Sequence, residues 1–296
     1  TKSPQTYEYI FTMPETACCM FSLFIGNSDN STTPYDVTIS NLMVTEYTSA
    51  ADMSLTAAEL VDDITFGWNL GNTLDTFTDV AVDAPAYYET SASNPITEKH
   101  MLDTVKASGI NAVRIPVTWF YHMDENNIVD EAWMNRVQEV VDYVIDNDMY
   151  CILNVHHDGL EHNWLKASMN NYNTNKEKFE TLWRQIAERF QDYDEHLLFE
   201  GFNEVTDDNI NWTTTSEDGF AAINSYNQLF VDTVRATGGN NTNRCLICNT
   251  YATASTESAL EQYQLPVDTV ENRLIAEVHS YEPYQFCFVE YPDVTT

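Results

Sequence analysis

From about residue 52 onward, short apolar runs alternate with longer amphipathic ones, and this rhythm limits the possible folds more than any other feature. Six runs read as strands: 66–70, 112–117, 150–155, 197–202, 245–248 and 274–278. Between them the spacing predicts helices over about 97–107, 131–146, 176–191 and 219–236. The second helix carries Trp133, Val137, Val140, Val141, Val144 and Ile145 on one stripe behind an Asp130 N-cap. The fourth stops at Gly238-Gly239. Repeated strand–helix units build a parallel sheet, either doubly wound or closed as a (β/α)8 barrel. A dinucleotide-binding sheet needs a glycine-rich turn after its first strand. Here Gly67 and Gly71 flank an aromatic–amide run instead. Polar groups recur toward the strand C-termini, where a barrel assembles its site. The expected fold is therefore α/β, an incomplete (β/α)8 TIM barrel over 61–296 with about six of eight strands.

Residues 49–60 read as a linker and entry helix. Residues 1–48 differ in kind. Two β-type segments, 21–26 and 35–47, are joined by turn-forming residues 27–34 with no helix. That is too little for a whole β-sandwich, which takes about 100 residues. A short β-sandwich remnant is expected there.

Composition removes several classes of function. Apolar residues make up 43% and aromatics 12%, too rich for a disordered chain. With 46 Asp and Glu against 13 Lys and Arg, the formal charge is −33. Phosphate backbones and anionic membranes repel such a surface, so neither nucleic acid nor membrane is an expected partner. Neutral ligands meet no such barrier. No uninterrupted apolar run reaches the roughly 18 residues of a membrane span. The six cysteines form no disulfide framework, and Cys245-x-x-Cys248 lacks a second pair at zinc spacing.

Asn203-Glu204 closes a nearly apolar strand, where a cleft carboxyl can have its pKa raised into the range of a general acid. Arg114 stands among Val113, Ile115 and Val117 and must find a partner. Glu200 and Glu277 share strand faces with site candidates and are the two options. His156, His157, Asp158, Glu161 and His162 crowd seven residues, but in a loop rather than on one helix face. They suit a polar pocket better than a metal. His279 and Tyr281 end another strand with both side chains on one face. Trp68, Trp119 and Trp164 offer stacking faces. Imidazoles, amides, carboxyls and aromatics together suit a neutral polymeric sugar.

Five segments carry a family resemblance: Gly67-Trp-Asn-Leu-Gly-Asn72-Thr-Leu-Asp75, Val113-Arg-Ile-Pro-Val-Thr-Trp119, Ile152-Leu-Asn-Val-His-His157, Phe199-Glu-Gly-Phe-Asn-Glu204 and Val278-His-Ser-Tyr281. In this order they resemble family 5 of the glycoside hydrolases, the retaining endo-β-1,4-glucanases, over about 55–290. The resemblance implies that Glu204 is the general acid/base and that Asn203 bonds the sugar 2-hydroxyl. It implies that Arg114 and Tyr281 hold a nucleophilic carboxylate, while His156, His157 and His279 line the cleavage subsite. Trp68, Asn69, Asn72 and Trp119 become candidate sugar contacts. No cofactor or metal is implied. The substrate would be cellulose, mixed-linkage glucan or xyloglucan.

One departure stands out. The family's nucleophile usually follows a glycine in Gly-Glu-Phe/Tyr-Gly, and no Gly-Glu dipeptide occurs here. The expectation is an internal fragment of a secreted modular cellulase. It would be inactive alone, with its nucleophile beyond residue 296 and the end of a carbohydrate-binding module at 1–48. The competing readings are a mannanase or xylanase of the same clan, a non-hydrolytic carbohydrate-binding protein, and a metallohydrolase built on the 156–162 cluster.

Overall fold

The computed structural model describes residues 52–77, 85–160 and 163–288. The β-type segments expected at 1–48, and the candidate ligands Glu161 and His162, lie outside the described residues.

In chain order the elements are α1 (Ala57–Asp63), β1 (Gly67–Asn69), α2 (Pro85–Ser91), α3 (Lys99–Ala107), β2 (Ala112–Ile115), α4 (Glu131–Ile145) and β3 (Tyr150–Asn154). Then follow α5 (Met169–Arg189), β4 (Leu197–Glu200), α6 (Glu217–Ala236), β5 (Leu246–Ala254), α7 (Glu257–Gln262), β6 (Leu274–His279) and α8 (Tyr284–Phe288). The six strands are all parallel and lie in sequence order. A doubly wound sheet reverses its order at a switch point. This one never does, so it curls in one direction as a half-barrel.

Strand alternation divides the apolar residues into two clusters. Val113, Ile115, Cys151, Leu153, Leu197, Phe199, Leu246 and Cys248 face outward and pack with Trp133, Val137, Trp183, Ile186 and Phe230 of the helices. Ala112, Tyr150, Leu198, Cys245 and Ile247 face inward at the other end of the strands, where Ala57 and Leu60 of α1 close the floor. Thr56 caps α1 in a reciprocal capping box with Glu59. Above that floor the inward positions become polar: Arg114, Asn154, Glu200, Asn249 and Glu277.

The expected elements are present, with shifted bounds. Asp130 caps α4, accepting from Trp133 N. The entry helix runs to Asp63, three residues past the expected boundary. α5 begins at Met169 rather than 176, capped by Ser168. Its first two turns are amide-rich, so no apolar stripe announces them. β5 continues past Cys248 to Ala254 and is irregular there, with Ala252 and Thr253 in the left-handed region.

Candidate active site

The site is built from the polar inward row. Arg114 grips Glu200 with two bonds, Nε to Oε2 at 2.6 Å and Nη2 to Oε1 at 2.6 Å. Of the two expected partners, register selects Glu200. Burial works against the Arg114 charge, but the Glu200 carboxylate outweighs it and holds the guanidinium above its ordinary value. Nη2 also donates to Asn203 Oδ1 at 2.8 Å, which fixes that amide. Asn154 pairs with Glu200 in the ladder and donates to its Oε1 at 3.0 Å. The same amide reaches His156 Nδ1 at 3.0 Å. Burial, followed by Arg114, pushes His156 well below the usual histidine range. The ring is neutral, and with Nδ1 accepting, its proton lies on Nε2.

Glu204 follows the turn after β4 with φ 46°, an uncommon conformation for a side-chain-bearing residue. Its N–H donates to Thr253 Oγ1 at 3.0 Å, so the irregular end of β5 holds the turn. Its carboxyl oxygen Oε1 meets His279 Nδ1 at 2.7 Å and accepts from the Tyr281 hydroxyl at 3.0 Å. Contrary to the raised pKa expected for this strand-end carboxyl, Glu204 lies below its ordinary value: burial raises it, but His279 and Tyr281 outweigh burial. His279 is pushed up to about 9: burial opposes the shift, and hydrogen bonds to Glu204 and Glu277 drive it. The resting pair is thus a carboxylate and an imidazolium.

An open cleft of about 550 Å³ runs across these groups. Nine sequence candidates line it together: Asn69, Asn72, Arg114, His156, His157, Asn203, Glu204, His279 and Tyr281. Tyr281, expected beside a second carboxylate, donates to Glu204 itself.

The aromatic candidates need correction. Trp119 is fully buried, and its indole N–H donates to Asn154 O at 2.9 Å, so it is core and not a sugar platform. Trp68 is exposed but lies one residue before Asn69, on the opposite face of β1. Trp164 turns its N–H to Asp158 at 2.8 Å, with Lys178 over its ring.

Two acids build the site in ways the sequence reading did not assign: Asp75 was not singled out, and Asp158 was weighed only as a metal ligand. Asp75 is buried beside the cleft with Oδ2 3.6 Å from His157 Nε2; its signal was its place in the Gly67–Asp75 segment. Asp158 accepts from Trp119 N at 2.9 Å and from Trp164, pinning the loop that carries both histidines. That use turns it away from any metal cluster with His156 and His157. Among the described residues, Asp75, His156 and His157 could converge on an ion, with ligand atoms within 4.8 Å of one another.

A parallel half-barrel with carboxylate, amide, imidazole and phenol groups gathered at its strand C-termini has its polar cleft where barrel enzymes place their active sites. Comparison with known proteins gives the family. Residues 78–290 match the family described as Cellulase (glycosyl hydrolase family 5), and the chain belongs to that family. It is 42% identical over 238 residues to Endoglucanase B of Ruminococcus albus, covering 79% of this chain and 56% of that protein. It is 41% identical over 234 residues to Endoglucanase A of Clostridium longisporum, covering 78% of this chain and 44% of that one. The chain thus spans about half the length of these curated relatives. Among solved structures, a family 5 enzyme of Prevotella bryantii in complex with a xyloglucan tetradecasaccharide superposes with a TM-score of 0.77 at 48% identity, covering 78% of this chain and 68% of that one. A broad specificity endoglucanase of Ruminococcus champanellensis with bound cellotriose gives 0.77 at 48% identity, covering 81% and 70%.

Proposed function

We propose that this chain carries the acid/base half of a retaining endo-β-1,4-glucanase acting on cellulose, mixed-linkage glucan or xyloglucan. One observation carries the reading. Glu204 stands on a left-handed turn at the C-terminal end of a barrel strand, bonded by His279 and Tyr281 and open to a cleft. The relatives with bound cellotriose and xyloglucan support a β-glucan ligand. In this reading the fixed Asn203 amide offers its Nδ2–H to a sugar hydroxyl, and neutral His156 offers Nε2–H beside it. The cleft then binds an uncharged polymer through hydrogen bonds, without relying on net charge.

Retaining hydrolysis needs a second, ionised carboxyl about 5–5.5 Å from the acid/base. The described carboxylates around Glu204 already have other work. Glu200 holds Arg114, Glu277 meets Asn249 and His279, and Asp75 sits by His157. We infer that the nucleophile is none of these carboxylates, and that the described residues bind glucan without hydrolysing it on their own. A glucan polymer does not cross a membrane intact, so the enzyme would act outside the cell.

The test is binding and turnover of a soluble β-glucan by the 296-residue chain. Cello-oligosaccharide binding is expected by calorimetry, reduced about tenfold or more in Asn203→Ala (roughly 1.4 kcal/mol for a buried hydrogen bond), with no reducing sugar released. Turnover that disappears in Glu204→Gln would overturn the inactivity. Absence of any β-glucan binding would overturn the substrate class.

A further inference from the structure

The carboxylate of Glu277 has no role in the chemistry described so far, yet it lies against the histidine that touches Glu204. His279 Nε2 is 3.4 Å from Glu277 Oε1, and Nδ1 is 2.7 Å from Glu204 Oε1. A neutral imidazole has one donor nitrogen and one acceptor nitrogen. Set between two carboxylates, it would turn a lone pair toward an anion on one side. While both carboxyls are ionised, only the doubly protonated ring satisfies both contacts. Glu277 is itself anchored: Asn249, its ladder partner in β5, donates Nδ2 to Oε2 at 3.0 Å and leaves Oε1 for His279.

We propose that Glu277 is a positioning residue that keeps His279 doubly protonated from the far side of the ring, so that the His279–Glu204 pair stores one transferable proton. The inference rests on the reading of Glu204 as the acid/base and adds the source of its proton. Transfer breaks Nδ1–H and forms O–H on Glu204 Oε1. Imidazolium and carboxylate become imidazole and carboxylic acid, with Nε2–H still on Glu277. No charge leaves the pair, and the reverse step restores it. Other charged and titratable groups face this pair. Arg114 of β2 opposes the imidazolium and is offset by Glu200 of β4, His156 and His157 stand beyond β3, and Tyr281 follows β6. Because Arg114 works against the cation, Glu204 has help from Glu277 in holding it.

The experiment is an NMR titration of the 296-residue chain with labelled histidine; seven histidines keep the spectrum assignable. In the unaltered chain both His279 nitrogens are expected to be protonated at pH 7, with a midpoint near 9. Glu277→Gln keeps the shape and can still accept from Asn249, but presents an amide N–H to Nε2. Its His279 midpoint is expected to fall by at least about one pH unit, with the His156 signal unmoved. A bare nitrogen on His279 at pH 7 in the unaltered chain would overturn the proposal, whether or not the variant folds. So would a folded Glu277→Gln chain with an unchanged midpoint. Neither readout depends on sugar turnover, so failure of the glucanase reading is detected separately, by the binding and hydrolysis assay.

Discussion

Arg114 illustrates what a single residue reveals of its surroundings. A guanidinium among valines and isoleucine demands a partner, and that much is legible in the sequence. The choice between Glu200 and Glu277 is not, because both lie at period-two positions and only strand register separates them. Register also takes Trp119 out of the cleft, by giving its indole N–H the Asn154 carbonyl. An aromatic at a strand end looks the same in sequence whether it faces sugar or core. The ionic character of the Arg114–Glu200 pair can be tested directly. Arg114→Met leaves Glu200 buried and uncompensated and is expected to cost about 3–5 kcal/mol in urea denaturation. Arg114→Met combined with Glu200→Leu removes both charges and should recover much of that loss. A double variant no more stable than the single would mean that the pair is not the source.

At the scale of elements, the strands and the amphipathic helices were readable because apolar periodicity marks them. The turns that aim the site were not. Glu204 is held by the left-handed end of β5, where Ala252 and Thr253 depart from the ladder, and no composition signal announces that departure. The loop after β3 is pinned from within by Asp158 and packs closely on the segment after Glu204. A Cβ on Gly159 would lie 2.8 Å from Val205 Cγ2 and 3.4 Å from its Cα. The neighbour is a short branched side chain on a fixed backbone, so it can yield little. Gly159→Ala is expected to destabilise by about 1–3 kcal/mol. Because it pushes on residue 205, it should also weaken cello-oligosaccharide binding. Equal urea midpoints for the variant and the parent chain would contradict the close packing.

For the whole molecule, the six-stranded order followed from the alternation of units, whereas residues 1–48 contribute no described element against which to judge the sandwich expectation. Stability should record the site's ionisation. His279 has a folded value of about 9 against an ordinary 6.5. Its contribution is therefore complete below about pH 6.5 and is lost as pH rises through 9. Glu204 is lowered, so its contribution is present above its ordinary 4.5 and fades as pH falls through its lower folded value. Melting temperature should decline from pH 6.5 to 9 more steeply in the parent chain than in His279→Gln; parallel curves would refute the assignment. The surface charge of −33 adds a repulsion common to both proteins, so their difference isolates the histidine. The two apolar clusters on opposite faces of the sheet have a further consequence. Leu198 and Ile247 meet α1 beneath the cleft, while Leu197 and Leu246, their neighbours along the strands, belong to the helix layer. Sequence drift in the outer jacket and drift in the basin's base are thereby insulated from each other. A lineage can deepen or fill the basin by exchanging α1 and a few inward side chains, while the scaffold that keeps the chemistry aligned stays as it was.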